Sequence, residues 1–162
     1  MDVDALKAEL TKPITEQMLR ASTLMRVGYV AKDGTPRVIP IGFWLTDGKI
    51  AFATVVNSPK VAALRERPEV AITIDHDGLP PRCLLIRGTA TVDIVDGVPD
   101  EYVEASKKSM SARGSEDFGG QVRQLYDQMA VITITPTWAR MNDFDTTLPK
   151  PVEEILKAKF GG

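Results

Sequence analysis

Two Asp-Gly pairs, Asp33-Gly34 and Asp47-Gly48, each stand between short apolar runs, and they constrain the fold more than any other feature of this chain. Asp-Gly readily supplies the left-handed backbone of a tight hairpin, so each pair turns the chain back antiparallel on itself. The runs around them, Val27 to Ala31, Arg37 to Leu45 and Ile50 to Thr54, read as three successive strands. The chain therefore begins as an antiparallel meander, and a doubly wound parallel sheet fits poorly because strands and helices do not alternate.

Elements on either side complete the pattern. Leu6, Leu10, Met18 and Leu19 place two short amphipathic helices in an N-terminal arm, residues 1–22. A helix is predicted from Pro59 to about Arg67, stopped by Pro68, returning directly to a strand from Val70 to Asp75. Leu84 to Val95 reads as a long strand with a bulge at Gly88. Residues 99–112 and 119–130 read as helices around a loop from Gly114 to Gly120, Val131 to Thr135 as the last strand, and residues 150–160 as a terminal helix. The expectation is a mainly β protein with peripheral helices: a six-stranded antiparallel barrel in a single domain over residues 1–162.

A chain of 162 residues, 43% of them apolar, suits one such domain. The formal charge of −2 provides no broad basic field, so neither nucleic acid nor an anionic membrane is expected as a partner. Cys83 is the only cysteine, which excludes an intrachain disulfide and favours a reducing compartment. The acidic start MDVDALKAEL and the lack of an apolar run of about 18 residues predict a cytoplasmic protein.

The candidate site lies in Ala53-Thr-Val-Val-Asn-Ser-Pro-Lys60, where a strand gives way to a helix. Ser58 suits the N-cap and Pro59 the first helical position, so amide N–H groups and the positive end of the helix dipole face outward there. Lys60 adds a charge with no carboxylate at Ala63 or Leu64, and no Asp or Glu occurs between Asp47 and Glu66. Thr54, Asn57, Ser58, Lys60 and Arg65 are thus donors without local acceptors, the composition of a phosphate pocket. The alternative is a solvated lysine on a capped surface helix.

In the preceding strand, Thr35-Pro-Arg-Val-Ile-Pro-Ile-Gly-Phe43, Pro40 cannot donate to a sheet ladder. It marks either an edge strand closed against aggregation or a backbone left free to hold a planar, amide-rich ring, with Val38 and Ile39 in apolar contact.

Taken in order, Gly34-Thr-Pro-Arg-Val-Ile-Pro-Ile-Gly-Phe, Ile50-Ala-Phe-Ala-Thr, Asn57-Ser-Pro-Lys and Leu64-Arg-Glu-Arg-Pro-Glu-Val-Ala-Ile resemble the pyridoxamine 5'-phosphate oxidase-like split-barrel superfamily, over roughly residues 15–140. The resemblance implies a homodimer with FMN or the deazaflavin coenzyme F-420 between the subunits, acting on a small-molecule substrate; a few members handle haem. It implies that Arg37, Val38, Ile39 and Pro40 line the ring, that Thr54, Asn57, Ser58 and Lys60 hold the phosphate, that Arg82 reaches the cofactor from the other subunit, and that Trp138 stacks on it. The vitamin B6 oxidases carry an Arg and a Lys flanking the apolar pair of this strand. This chain has Pro36 and Ile41 there, with Arg37 displaced by one residue, which argues against that activity and resembles the deazaflavin branch more.

Asp75-His76-Asp77-Gly78 reads as a β-turn holding the only histidine, too little for a zinc site, although haem ligation by His76 is an alternative. No nucleophile with a paired base is visible. That silence suits a flavin-type oxidoreductase, in which the cofactor carries the hydride, and equally a binding module without turnover or a purely structural barrel.

Overall fold

The computed structural model describes residues 1–76, 78–110 and 117–161. Asp47 (φ 48°) and Gly48 (φ 73°) both adopt left-handed backbone, as a two-residue hairpin requires, and they join β3 (Trp44–Thr46) to β4 (Lys49–Val55). The first hairpin, between β1 (Leu24–Val30) and β2 (Pro36–Gly42), has a longer loop in which only Gly34 is left-handed. Its turn is held by the Gly34 amide donating to the Ala31 carbonyl and by Asp33 accepting from the Thr35 amide.

With β5 (Glu69–His76), β6 (Arg82–Asp96) and β7 (Gln128–Asn142), these strands form one antiparallel sheet in the order β2-β1-β5-β6-β7-β4-β3. The described residues thus contain seven strands where six were expected. The predicted strand from Arg37 to Leu45 breaks at buried Phe43, after Gly42. Its first part pairs with β1 and its second with β4, at opposite ends of the sheet. A single residue therefore joins the two edges, and the sheet must roll until they meet there. The result is a barrel, split where β2 and β4 diverge from the seam: β3 covers only Lys49 to Ala51 of β4.

Strand alternation then sorts side chains into an inside and an outside. Ile39, Val27, Ile72, Ile86 and Ala139 are successive cross-strand neighbours over β2, β1, β5, β6 and β7, and all but half-buried Ile39 are fully enclosed. Phe52, Ile132 and Ile134 extend this core through β4 and β7. Each such side chain contributes about 1.5–3 kcal/mol by leaving water.

The bulge expected at Gly88 is present, with its extra residue in the partner strand. Arg87 pairs with Trp138 and Gly88 with Pro136, so Thr137 is left over. β7 is also longer than predicted: residues 128–130, assigned to a helix by the sequence, pair with β6, with Met129 and Ala130 buried on its two faces.

Helices cover the outside. α1 (Val3–Leu10) is capped by the Asp2 carboxylate, 2.8 Å from the Ala5 amide, and Glu9 ties it to β7 by accepting from the Met141 amide at 2.7 Å. α2 (Pro13–Ala21) inserts Met18 and Leu19 into the core. α3 (Pro59–Glu66) follows β4, and α4 (Asp100–Lys107) meets α5 (Phe118–Leu125) through Tyr102 and Phe118. Part of the loop expected from Gly114 to Gly120 lies outside the described residues, and its last residues open α5. α6 (Lys150–Phe160) buries none of its residues and is fastened by Arg140 to Glu153 at 2.9 Å. Among the described residues no helix is long and apolar enough to cross a membrane.

Candidate functional site

Where β4 ends, the Ser58 amide donates to the Val55 carbonyl (3.0 Å), closing a tight turn with Val56 and exposed Asn57 at its corners. Ser58 then takes the N-cap position and Pro59 opens α3, as the sequence predicts. The Ser58 hydroxyl does not cap the helix. It lies 2.7 Å from Lys60 Nζ, whose ammonium also donates to the Thr54 hydroxyl at 3.1 Å.

Three of the residues assigned to a phosphate therefore meet in one cradle. Ser58 is only 9% exposed and Lys60 is half-buried, and among the described residues no carboxylate pairs with this ammonium. Burial lowers the Lys60 pKa. Hydroxyls, an ammonium and a helix N-terminus converging without an anion fit a phosphate group.

β2 is an edge strand, paired to β1 alone, as Pro40 indicates. Alternation separates the residues assigned to the ring. Val38 (68% exposed) and Pro40 point outward, whereas Ile39 packs on the core and offers a ring only its backbone. Arg37 turns back to its own hairpin, pairing with Asp33 at 3.0 Å and donating to Thr35. Hydrogen bonds from Thr35, aided by Arg37, hold the Asp33 carboxyl below its ordinary pKa.

Register shows what the sequence could not. Val38, Gly28, Ala71, Arg87 and Trp138 form one row across the outer face. Gly28 and Ala71 have almost no side chain, so the row sinks in the middle between Val38 and Arg87. The Arg87 guanidinium stands 4.7 Å from the centre of the Trp138 ring, a cation–π contact. Gly28, Ala71 and Arg87 were missed because only cross-strand pairing brings them to Val38 and Trp138.

Arg82 is remote from this row in register. It opens β6 opposite His76, and both line a separate cleft beside α2. The expected turn at Asp75 and His76 is corrected: both complete β5, because residues 82 and 83 pair with them, and Asp77 lies outside the described residues. No group of three His, Cys, Asp or Glu side chains suited to a metal occurs among the described residues. Cys83 is half-buried, its sulfur 3.4 Å from the Thr73 hydroxyl.

A rolled antiparallel sheet, open where β2 and β4 diverge, defines a split-barrel protein. The profile of the Pyridoxamine 5'-phosphate oxidase family matches residues 11–143, and the chain belongs to that family. No curated protein matches it. Among solved structures it is similar to a conserved hypothetical protein of Mycobacterium tuberculosis (18% identity, TM-score 0.62, covering 88% of this chain and 92% of that one). It is also similar to an F-420 reductase (22%, 0.59, 77% and 94%) and to HutZ, a heme storage protein of Vibrio cholerae (16%, 0.55, 81% and 92%). These likenesses establish the shared fold.

Proposed function

We propose that this chain binds FMN or the deazaflavin F-420 across the split of the barrel and acts as an oxidoreductase on a small organic molecule. The observation that carries this reading is the Lys60 ammonium, half-buried against the Ser58 and Thr54 hydroxyls with no carboxylate beside it. In this reading the three residues hold the phosphate, with Asn57 at the lip. The ring lies along β2, on Val38 and Pro40 and over the depression at Gly28 and Ala71. The cofactor would supply hydride transfer; the protein binds it, orients it and keeps water from one face. A second copy of the chain is proposed to cover the outer sheet face. Trp138, whose indole carries the Arg87 guanidinium at 4.7 Å, is proposed to stack on the cofactor.

The test is a visible spectrum of the protein purified without added ligand, followed by separate fluorescence titrations with FMN and F-420, each repeated with Lys60→Ala. Saturable binding of one cofactor, weakened by about 1.5–3 kcal/mol in the variant, supports the reading. Binding of neither refutes it, and a parallel haem titration then asks whether the haem alternative holds. Binding without reduction by any nicotinamide or sugar-phosphate donor would indicate a module without turnover.

A further inference from the structure

A cleft of about 370 Å³ lies between α2 and the ends of β1, β5 and β6, outside the phosphate cradle. The strands bring Leu24, Arg26, Asp75, His76 and Arg82 to it, and α2 brings Ile14 and Gln17. We propose that this cleft takes the carboxylate end of a small organic acid, and that this acid is the substrate of the oxidoreductase site. The substrate role rests on the function proposed above, whereas the carboxylate site stands on the cleft's own chemistry.

The argument begins with charge. Two guanidinium groups face one carboxylate, Asp75, which lies 2.8 Å from Arg26 Nη1. That contact uses one corner of the Arg26 fork, and a guanidinium has five donors in a geometry matched to planar carboxylates. Asp75 therefore positions Arg26 without consuming it.

Shape adds the organic part. Ile14 and Leu24 add apolar surface to the lining that a hydrated inorganic ion would leave unused, and the volume suits a fragment-sized molecule.

Position links it to the ring strand. Arg26 is the cross-strand partner of Pro40, two residues along β2 from Val38. Directly opposed residues in an antiparallel pair have Cα atoms about 4.5–5.5 Å apart. The cleft is lined by β1, β5 and β6 rather than by β2 itself, so an acid held by Arg26 and Arg82 has its carboxylate one strand away from the strand on which the ring is proposed to lie, with Arg26 at the boundary. In this proposal Arg82 binds the substrate of its own subunit.

Isothermal titration with benzoate, benzamide and inorganic phosphate, on the full chain and on Arg26→Gln and Arg82→Gln, tests this beside the cofactor titrations. Both arginines are on the surface, so the variants retain the core, and a thermal melt verifies it. The expected result is saturable benzoate binding, at least tenfold weaker binding of benzamide and phosphate, and at least tenfold loss of benzoate affinity in each variant, with cofactor affinity of Arg26→Gln changed less than twofold. Equal binding of benzoate and benzamide, tighter binding of phosphate, or no benzoate binding overturns the proposal. Parallel loss of cofactor and benzoate in Arg26→Gln also overturns it, because the cleft would then belong to the cofactor. Arginine-dependent benzoate binding by a chain that binds neither FMN nor F-420 overturns the substrate role and the function proposed above, and leaves the carboxylate site standing.

Discussion

Gly88 and the Thr135 carbonyl approach so closely that a β-carbon on residue 88 would lie 2.6 Å from that oxygen and 2.8 Å from the Ile134 side chain. Both obstacles belong to β7, one of them backbone, so relief requires moving the bulge that opens the sheet at Arg87. Gly88→Ala is expected to cost about 1–3 kcal/mol, lowering Tm by roughly 3–10 °C for a domain of this size. Thermal and urea unfolding of the variant measure it, and an unchanged Tm would contradict the described packing.

Lys60 sets stability against binding. Its pKa is lowered by burial, so the unfolded chain holds this proton more tightly, and the charged ammonium disfavours the fold until the pH rises towards that of an ordinary lysine. Lys60→Met retains the aliphatic stem and removes the charge. The variant without ligand should melt unchanged to about 3 °C higher, while losing about 1.5–3 kcal/mol of cofactor affinity. A lower melting point together with intact affinity would make Lys60 a structural residue.

Asp143 follows β7 and is 7% exposed. Burial by itself would raise its pKa, but the Thr146 hydroxyl and the amides of Asp145, Thr146 and Thr147 all donate to the carboxylate and hold it well below the ordinary range. A depressed carboxylate pKa contributes stability that is complete above the unfolded value, about 3.9, and is lost as pH falls below it. Asp143→Asn should therefore be less stable than the native chain at pH 7, with the gap narrowing as the pH drops from about 4 to 2. Melting curves across that range check the sign.

The last helix hangs on one pair. Arg140 reaches Glu153 at 2.9 Å and also donates to the Leu148 carbonyl, while α6 buries no side chain of its own. Glu153→Gln should release residues 150–160, seen as lost amide-exchange protection there, and should shift Tm by less than about 3 °C because a part-buried pair still open to solvent contributes about 1 kcal/mol.

The fold was legible where local chemistry is decisive. Asp47-Gly48 demanded its hairpin, Pro59 and Pro68 bracketed their helix, and Gly88 announced a bulge. The seam at Phe43 was not legible, because a strand that changes partners has the same alternation as one that does not. Residues 128–130 misled for a related reason: their pairing with β6 depends on tertiary contact. In the site, Ser58, Lys60 and Thr54 could be brought together from the sequence because they are six residues apart along one turn. Gly28, Ala71 and Arg87 could not, since they meet only through cross-strand register.

Phe43 carries one more consequence. β2, the strand proposed to seat the ring, runs into Phe43, and β4, which carries Thr54, is tied to that residue only through β3, with no ladder between β2 and β4. A ligand anchored at Lys60 and lying along β2 would act as a clasp across that gap, doing for the open end of the barrel what the peptide chain does at the closed end. Occupancy would then stiffen the whole cylinder, and exchange protection at Val38 and Thr54, on opposite lips, should rise together.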